Sequence, residues 1–192
     1  NRSSYQNNKK STINNLEELL IQSVNEQMIS DVPIGAFLSG GIDSSLITAI
    51  MQSLSDKPIN TFSIAFVNKD YDESLYSNRI AKYLRTNHHE KIIGPKDCLD
   101  IIPKLSQIYD EPFGDSSSMP TYLLSKLAKE SVTVSLSGDG ADELFGGYER
   151  YYRGMAYWRI LSAIPIQIRK YIRYLLLSLP AKSIDKIHNR LF

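Results

Sequence analysis

Cysteine is nearly absent from this chain, with Cys98 the only one in 192 residues. No intramolecular disulfide can form, so packing must hold the fold, and the composition suits a reducing cytoplasm. Cys98 has no evident histidine partner and reads as a small buried hydrophobe rather than a nucleophile. Histidine is scarce too, at three residues. His88 and His89 are adjacent on a strand-like run, so their side chains should face opposite ways and support the edge of a site. They make a poor chelating pair, and a zinc cluster would lack its other ligands. Charge of one sign is also missing, since 22 Lys and Arg stand against 21 Asp and Glu, a net of +1. That balance gives no pull toward nucleic acid or an anionic membrane. No apolar run approaches the roughly 18 residues that a membrane span requires, and no signal peptide is recognisable. Asn1–Asn14 is polar and reads as a linker.

What is present begins with Ser39-Gly40-Gly41-Ile42-Asp43-Ser44-Ser45. Upstream, Val32 to Leu38 is a short apolar run ending at two glycines, which predicts a buried strand. Downstream, Leu46, Ile47, Ile50, Met51 and Leu54 recur at helical spacing until the break near Pro58. A strand, a glycine-and-hydroxyl loop and a helix start make an anion site, because free N–H groups and the positive helix end share one small volume. Gly40 and Gly41 would let backbone approach the anion, and Ser39, Ser44 and Ser45 add hydroxyl donors. The plainer alternative is that Asp43 or Ser44 merely caps the helix. A cap needs one such residue, whereas this loop has two glycines, three serines and an aspartate in seven positions. No lysine follows the glycines, so it is not the G-x-x-x-x-G-K-[ST] loop, and it is not G-x-G-x-x-G either. A phosphate chain is the expected guest.

The rest of the chain alternates. Helices are predicted at Leu16–Ile29, Ser44–Leu54, Asp72–Leu84, Cys98–Tyr109 and Thr121–Lys129. Strands are predicted at Ile34–Leu38, Asn60–Phe66, His88–Ile93 and Val132–Leu136. This order implies an α/β fold, a parallel sheet with helices on both faces and ligands at the strand ends. At the end of the last strand, Asp139, Asp142 and Glu143 place three carboxylates within five residues. Read alone, Asp139 and Asp142 could be a helix capping pair. After Tyr148 the pattern becomes helical, with Tyr157–Ser162 followed by a stripe of Ile168, Ile172, Leu175, Leu176 and Leu179 opposite Arg169, Lys170 and Arg173. Such a basic amphipathic helix can bind membranes or partner helices, although a solvated face over a core stripe is the commoner arrangement.

The Ser39–Ser45 loop resembles the pyrophosphate loop of the N-type ATP pyrophosphatases. A second motif, Ser137-Gly138-Asp139-Gly140-Ala141-Asp142-Glu143-Leu144-Phe145-Gly146-Gly147-Tyr148, is similar to the synthetase-domain signature of the glutamine-hydrolysing asparagine synthetase family and its β-lactam synthetase and lasso-peptide cyclase relatives. His88-His89-Glu90 and Pro120 to Ser125 agree, in the family's order, from about Asn15 to Arg153. The resemblance implies a Rossmann-like sheet of the adenine nucleotide alpha hydrolase type, followed by a C-terminal helical segment. It implies that ATP is cut between its α- and β-phosphates, that an aspartate side chain is adenylated, and that ammonia displaces AMP. The pyrophosphate would lie on Ser39, Gly40, Gly41, Asp43, Ser44 and Ser45. The adenosine would rest against Leu38, Ile64, Ser137 and Gly138, whose bland reading is plain sheet core. Asp43 and Asp142 match the Mg²⁺ ligands, and hard carboxylates beside phosphate suit that ion. Asp139 matches the carboxylate that helps ammonia lose a proton.

The resemblance divides the chain into a linker at 1–14, an ATP pyrophosphatase domain at 15–153 and the start of a helical part at 154–192. It also implies an internal piece of a larger protein whose glutaminase domain supplies the ammonia, with a homo-oligomer expected at full length. Asp110–Ser118 lies where relatives handle the amino-acid substrate, and it lacks the Thr-Thr-x-Arg run that some of them carry. Aspartate therefore stands beside other acceptors, as in β-lactam formation, peptide cyclisation or sugar-acid amidation. A nucleotide-binding module without catalysis is the reading from a different class.

Overall fold

The structure is a computed structural model and describes residues 8–69, 72–111 and 114–178. These fall into two compact units, divided between Asp139 and Gly140. The first unit is built on a sheet of β1 (Ile34–Phe37), β2 (Asn60–Phe66), β3 (Asn87–Ile93) and β4 (Val134–Leu136), in the order β3-β2-β1-β4. Every pairing is parallel, as the alternation of strands and helices implies.

The helices of the first unit cover both faces. On one face, α1 (Lys9–Gln27) and α2 (Ile42–Ser53) bring Val24, Ile50 and Met51 against Ala36 and Ile59. Next along the chain are α3 (Ser74–Leu84), α4 (Pro95–Leu99) and α5 (Leu105–Ile108), then α6 (Ser118–Ala128). On the other face, Phe62 is fully buried with Ala128 and Val132, and Leu124 and Leu127 of α6 pack against them. Burying one phenylalanine side chain stabilises by about 1.5–3 kcal/mol, so Phe62 is a main anchor of that face. Ile93, Ile101 and Leu123 continue this layer toward the strand ends, with Ile64 and Phe66 packed on them.

Several boundaries differ from expectation. The first helix starts at Lys9 rather than Leu16, so residues 9–14 are helical; residues 1–7 lie outside the described residues. The Asn8 side chain accepts from the Lys10 amide and caps that start, which a polar, apolar-poor run conceals from a periodicity search. The single helix expected over Cys98–Tyr109 is three pieces: α4, a 3₁₀ turn at Ile102–Lys104, and α5. Pro103 has no amide to donate and stops the α-helical ladder there. Pro95 starts α4 one turn earlier, where the Asp97 carboxylate accepts the Gly94 amide at 2.8 Å.

The second unit is helical: α7 (Ala141–Phe145), α8 (Glu149–Ser162) and α9 (Ile166–Ser178). Ile168 is exposed, as are Tyr171 and Tyr174, so Ile168 does not lie on a buried stripe. Leu179 and the side chains of Ile172, Leu175 and Leu176 lie outside the described residues. No helix of the described residues is long and apolar enough to cross a membrane.

His88 and His89 face opposite ways, as their adjacency requires, yet neither marks a site edge. His88 pairs in register with Thr61, and the whole of β2 separates it from β1. Its Nδ1 lies 2.9 Å from the Thr61 hydroxyl and its Nε2 3.1 Å from the Ser63 hydroxyl, while Thr61 also meets Thr86. His89 stacks on Phe62 at 5.1 Å. Burial, helped by the neighbouring His89, holds the His88 imidazole below its ordinary 6.5. Between its folded pKa and about 6.5 the unfolded chain binds a proton that folded His88 does not. Its contribution is therefore complete above about 6.5 and is lost as pH falls. Thermal midpoints measured from about pH 7.5 down to about pH 5 should decline, and His88→Gln should flatten part of that slope.

Candidate functional site

The chain runs outward from β1 to β2 to β3, then returns to the other side of β1 for β4. The strand order therefore reverses between β1 and β4, the switch point at which open parallel sheets bind ligands. Register makes the two flanking loops level. Ala36 pairs with Leu136 and Phe37 with Phe62, so Ser137 follows β4 where Phe37 and Leu38 end β1. Leu38 is buried and donates its amide to Phe62 O at 2.9 Å, while Ile64 lies two residues further along β2. Leu38, Ile64, Ser137 and Gly138 thus line one edge across three adjacent strands. The Ile64 side chain itself packs with the Ile93 cluster.

The two loops touch through backbone. A Cβ on Gly138 would lie 2.7 Å from the Ser44 amide nitrogen and 2.9 Å from the Asp43 carbonyl carbon. Glycine is required there by space alone. Gly40 is required twice over: its φ is +90°, and a Cβ would lie 2.7 Å from both Tyr76 Cβ and the Ser77 amide nitrogen. The loop is therefore seated on the first turns of α3, a contact that nothing near residue 40 in the sequence announces.

Helix α2 begins at Ile42, and the residue that flanks its start, Gly41, is extended and offers no side-chain cap. The capping alternative for Asp43 and Ser44 is therefore not what the structure has. Both lie inside the first turn, where backbone donors have no intrahelical acceptor. The hydroxyls are held in the loop. Ser39 and Ser44 Oγ atoms are 2.9 Å apart, Ser44 also donates to Gly41 O at 3.3 Å, and Ser45 donates to the same carbonyl at 2.5 Å. Asp139 is exposed, and its carboxylate accepts from the Ser137 hydroxyl at 3.1 Å.

Within the second unit, α7 starts at Ala141 after Gly140 and again has no side-chain cap, so Asp139 and Asp142 do not form a capping pair. A Cβ on Gly147 would collide with the Asp142 carboxylate, which folds over that turn. Glu143 accepts from the Tyr148 hydroxyl at 2.6 Å, and the Arg150 guanidinium lies 4.2 Å over the Tyr148 ring. That hydroxyl bond keeps the Glu143 carboxyl below the usual range, and the same bond to Glu143 pushes the Tyr148 phenol up. The first unit thus gathers Leu38, Ser39, Gly40, Gly41, Asp43, Ser44, Ser45, Ile64, Ser137, Gly138 and Asp139, while Asp142 belongs to the second. Among the described residues no group of three or more His, Cys, Asp or Glu is placed to hold a metal. Of the Asp110–Ser118 loop, Pro112 and Phe113 lie outside the described residues, and Asp115 accepts the Ser117 amide at 2.8 Å.

The parallel sheet, with two glycine-bearing loops meeting at its switch point, defines an α/β domain whose loops stand where such sheets bind ligands. The family model described as asparagine synthase matches residues 15–190, and the chain belongs to that family. A Methanocaldococcus jannaschii relative with the provisional name asparagine synthetase (glutamine-hydrolyzing) 2 is 48% identical over 147 residues, covering 76% of this chain and 28% of its own length. Asparagine synthetase (glutamine-hydrolyzing) 1 of Bacillus subtilis is 35% identical over 168 residues, covering 88% of this chain and 26% of its own. The chain therefore spans about a quarter of the length of these relatives. An NH3-dependent NAD synthetase structure from Campylobacter jejuni aligns with TM-score 0.48 and 18% identity over 70% of this chain and 60% of that one.

Gly138→Ala should lower stability in chemical denaturation by about 1–3 kcal/mol, the usual range for overpacking. Gly114→Ala, where a Cβ meets nothing within 4 Å, should fall within about 0.5 kcal/mol of the parent chain. Equal effects at the two positions would contradict the contact between the loops.

Proposed function

We propose that this chain is the nucleotide-handling part of an ATP-dependent, amide-forming asparagine synthetase, with residues 15–153 as its ATP pyrophosphatase domain and 154–192 as the start of a helical part. The observation that carries this reading is the seating of Gly138 against the uncapped first turn of α2. The pyrophosphate end of ATP would take the free donors of that turn and the hydroxyls of Ser39, Ser44 and Ser45. The adenosine would lie along the edge at Leu38, Ile64, Ser137 and Gly138.

Asp43 occupies the same helical turn, so a phosphate chain would meet a like charge there unless a cation neutralises it. Carboxylate oxygens are hard donors, which fits Mg²⁺, with Asp43 as the proposed ligand in this unit and phosphate or water oxygens completing the set. When bound, Mg²⁺ would neutralise charge on the phosphate oxygens. The carboxylate oxygen of aspartate would attack the α-phosphorus, and pyrophosphate would leave. Ammonia, supplied by a glutaminase part, would then attack the acyl carbon, giving its proton to Asp139 while AMP departs. The Ser137 hydroxyl orients that carboxylate. A second reading keeps the class and changes the acceptor, since residues 110–118 lack the Thr-Thr-x-Arg run of some relatives. A substrate panel on the full-length protein separates the two.

Calorimetric titration of the 192-residue chain with Mg²⁺ and an ATP analogue blocked between its α- and β-phosphates should give saturable binding. Asp43→Asn should abolish it. Asp139→Asn should leave binding and adenylation intact and stop amide formation in the full-length protein. Loss of nucleotide affinity in Asp139→Asn would overturn this division of roles.

A further inference from the structure

Asp72 stands at the junction of β2 and α3 and has no part in the site as described so far. Its Oδ1 accepts the Phe66 amide at 3.3 Å and the Ser74 amide at 3.2 Å, and its Oδ2 accepts the Ser74 hydroxyl at 3.0 Å. One carboxylate thereby ties the last residue of β2 to the first residue of α3. The Ser74 bonds, hydroxyl first, hold the Asp72 carboxyl below the usual range.

The two ends of this tie both lead to the loop. Phe66 lies two residues beyond Ile64, at the strand edge where the adenosine is placed. Ser74 opens the helix whose next turn, at Tyr76 and Ser77, forms the seat under Gly40. Ser77 is buried at 1% exposure, and its hydroxyl donates back to Ser74 O at 3.0 Å. The chain of contacts Phe66–Asp72–Ser74–Ser77–Gly40 is continuous. Gly40 cannot follow a shift of α3 by adopting another conformation cheaply, because its φ of +90° and its 2.7 Å clearance are both already restrictive.

We propose that Asp72 is a positioning residue for nucleotide binding: by tying β2 to α3 it fixes the seat of Gly40 and thus the shape of the Ser39–Ser45 loop. The role rests on the nucleotide reading above, but the tie itself does not. A helix cap of no further consequence would affect stability alone. Asp97 supplies the comparison, since it makes an equivalent bond to the Gly94 amide at the start of α4, beyond β2 from the loop.

Amide hydrogen exchange on the 192-residue chain tests the tie without any ligand. Asp72→Ala should speed exchange in peptides covering residues 38–46, and Asp72→Asn, whose amide oxygen still accepts, should restore most of the protection. Asp97→Ala should leave those peptides unchanged. Unaltered exchange in Asp72→Ala, or equal acceleration in Asp97→Ala, would overturn the proposal. In titrations with Mg²⁺ and the same ATP analogue, Asp72→Ala should weaken binding by about fivefold, the equivalent of one lost cap, and Asp97→Ala should not. Faster exchange with undiminished binding would reduce Asp72 to a structural cap. A parent chain that binds no analogue would sink the nucleotide reading, with exchange still deciding the tie. Should Asp72→Ala fail to fold, Ser74→Ala removes only the hydroxyl bond and is read by the same two measurements.

Discussion

The close approach of Gly138 to the first turn of α2 is the contact on which the candidate site depends. Parallel pairing brings β2 beside β1 at Gly35, where a Cβ would lie 2.7 Å from Phe62 Cε2 and 2.8 Å from the Asn60 carbonyl, and seats β4 on the other side of β1. The same pairing delivers Ser137 and Gly138 at the level where β1 gives way to its loop. Had either glycine a side chain, β2 or α2 would have to move, and the edge shared by Leu38, Ile64 and Ser137 would be broken. The site is thus a consequence of how closely three strands and one helix can pack, before any catalytic side chain is considered.

Energetics explain why the loop is both ordered and receptive. A capping side chain at the start of α2 would contribute only about a few tenths of a kcal/mol more than glycine, so Gly41 forgoes little. The serines instead satisfy one another and Gly41 O, so the loop keeps its shape while the first-turn amides have no intrahelical or side-chain acceptor. Hydrogen bonds to an anion are roughly twice as strong as neutral ones. A phosphate chain would therefore more than offset the missing cap, and Asp43 in the same turn would raise the demand for a cation.

Strands were legible where β-branched and apolar residues alternate or run together. Asn60–Phe66 is a strand over the same residues in sequence and structure, and β3 differs by one residue. Helix starts were less so, because they are set by single polar side chains. Apolar spacing places the start of the third helix at Asp72, whereas the helix starts at Ser74 and Asp72 lies outside it as the acceptor of its first amide. In the same way Asn8 starts α1 earlier than its apolar residues show, and Pro103 divides a run whose apolar spacing looks continuous. The loop residues of the site could be read from composition, but the reasons for Gly138 and Gly40 could not. Each is fixed by a neighbour far away in the chain, and only the register of the sheet brings those neighbours together.

Register and local bonding also separate carboxylates that the sequence places side by side. Asp139, Asp142 and Glu143 lie within five residues, which invites a single acidic cluster. Their surroundings differ. Asp139 is exposed and tied to its own loop through Ser137, Asp142 folds over Gly147, and Glu143 is engaged by the Tyr148 hydroxyl beneath the Arg150 guanidinium. A carboxylate already holding a 2.6 Å hydroxyl bond must give that bond up to take another partner. Of the three, Glu143 is therefore the least free to act on a ligand and the best placed to brace the turn that carries Asp142. Asp139, also exposed, holds its hydroxyl bond at a longer 3.1 Å, so less is given up there when another partner arrives.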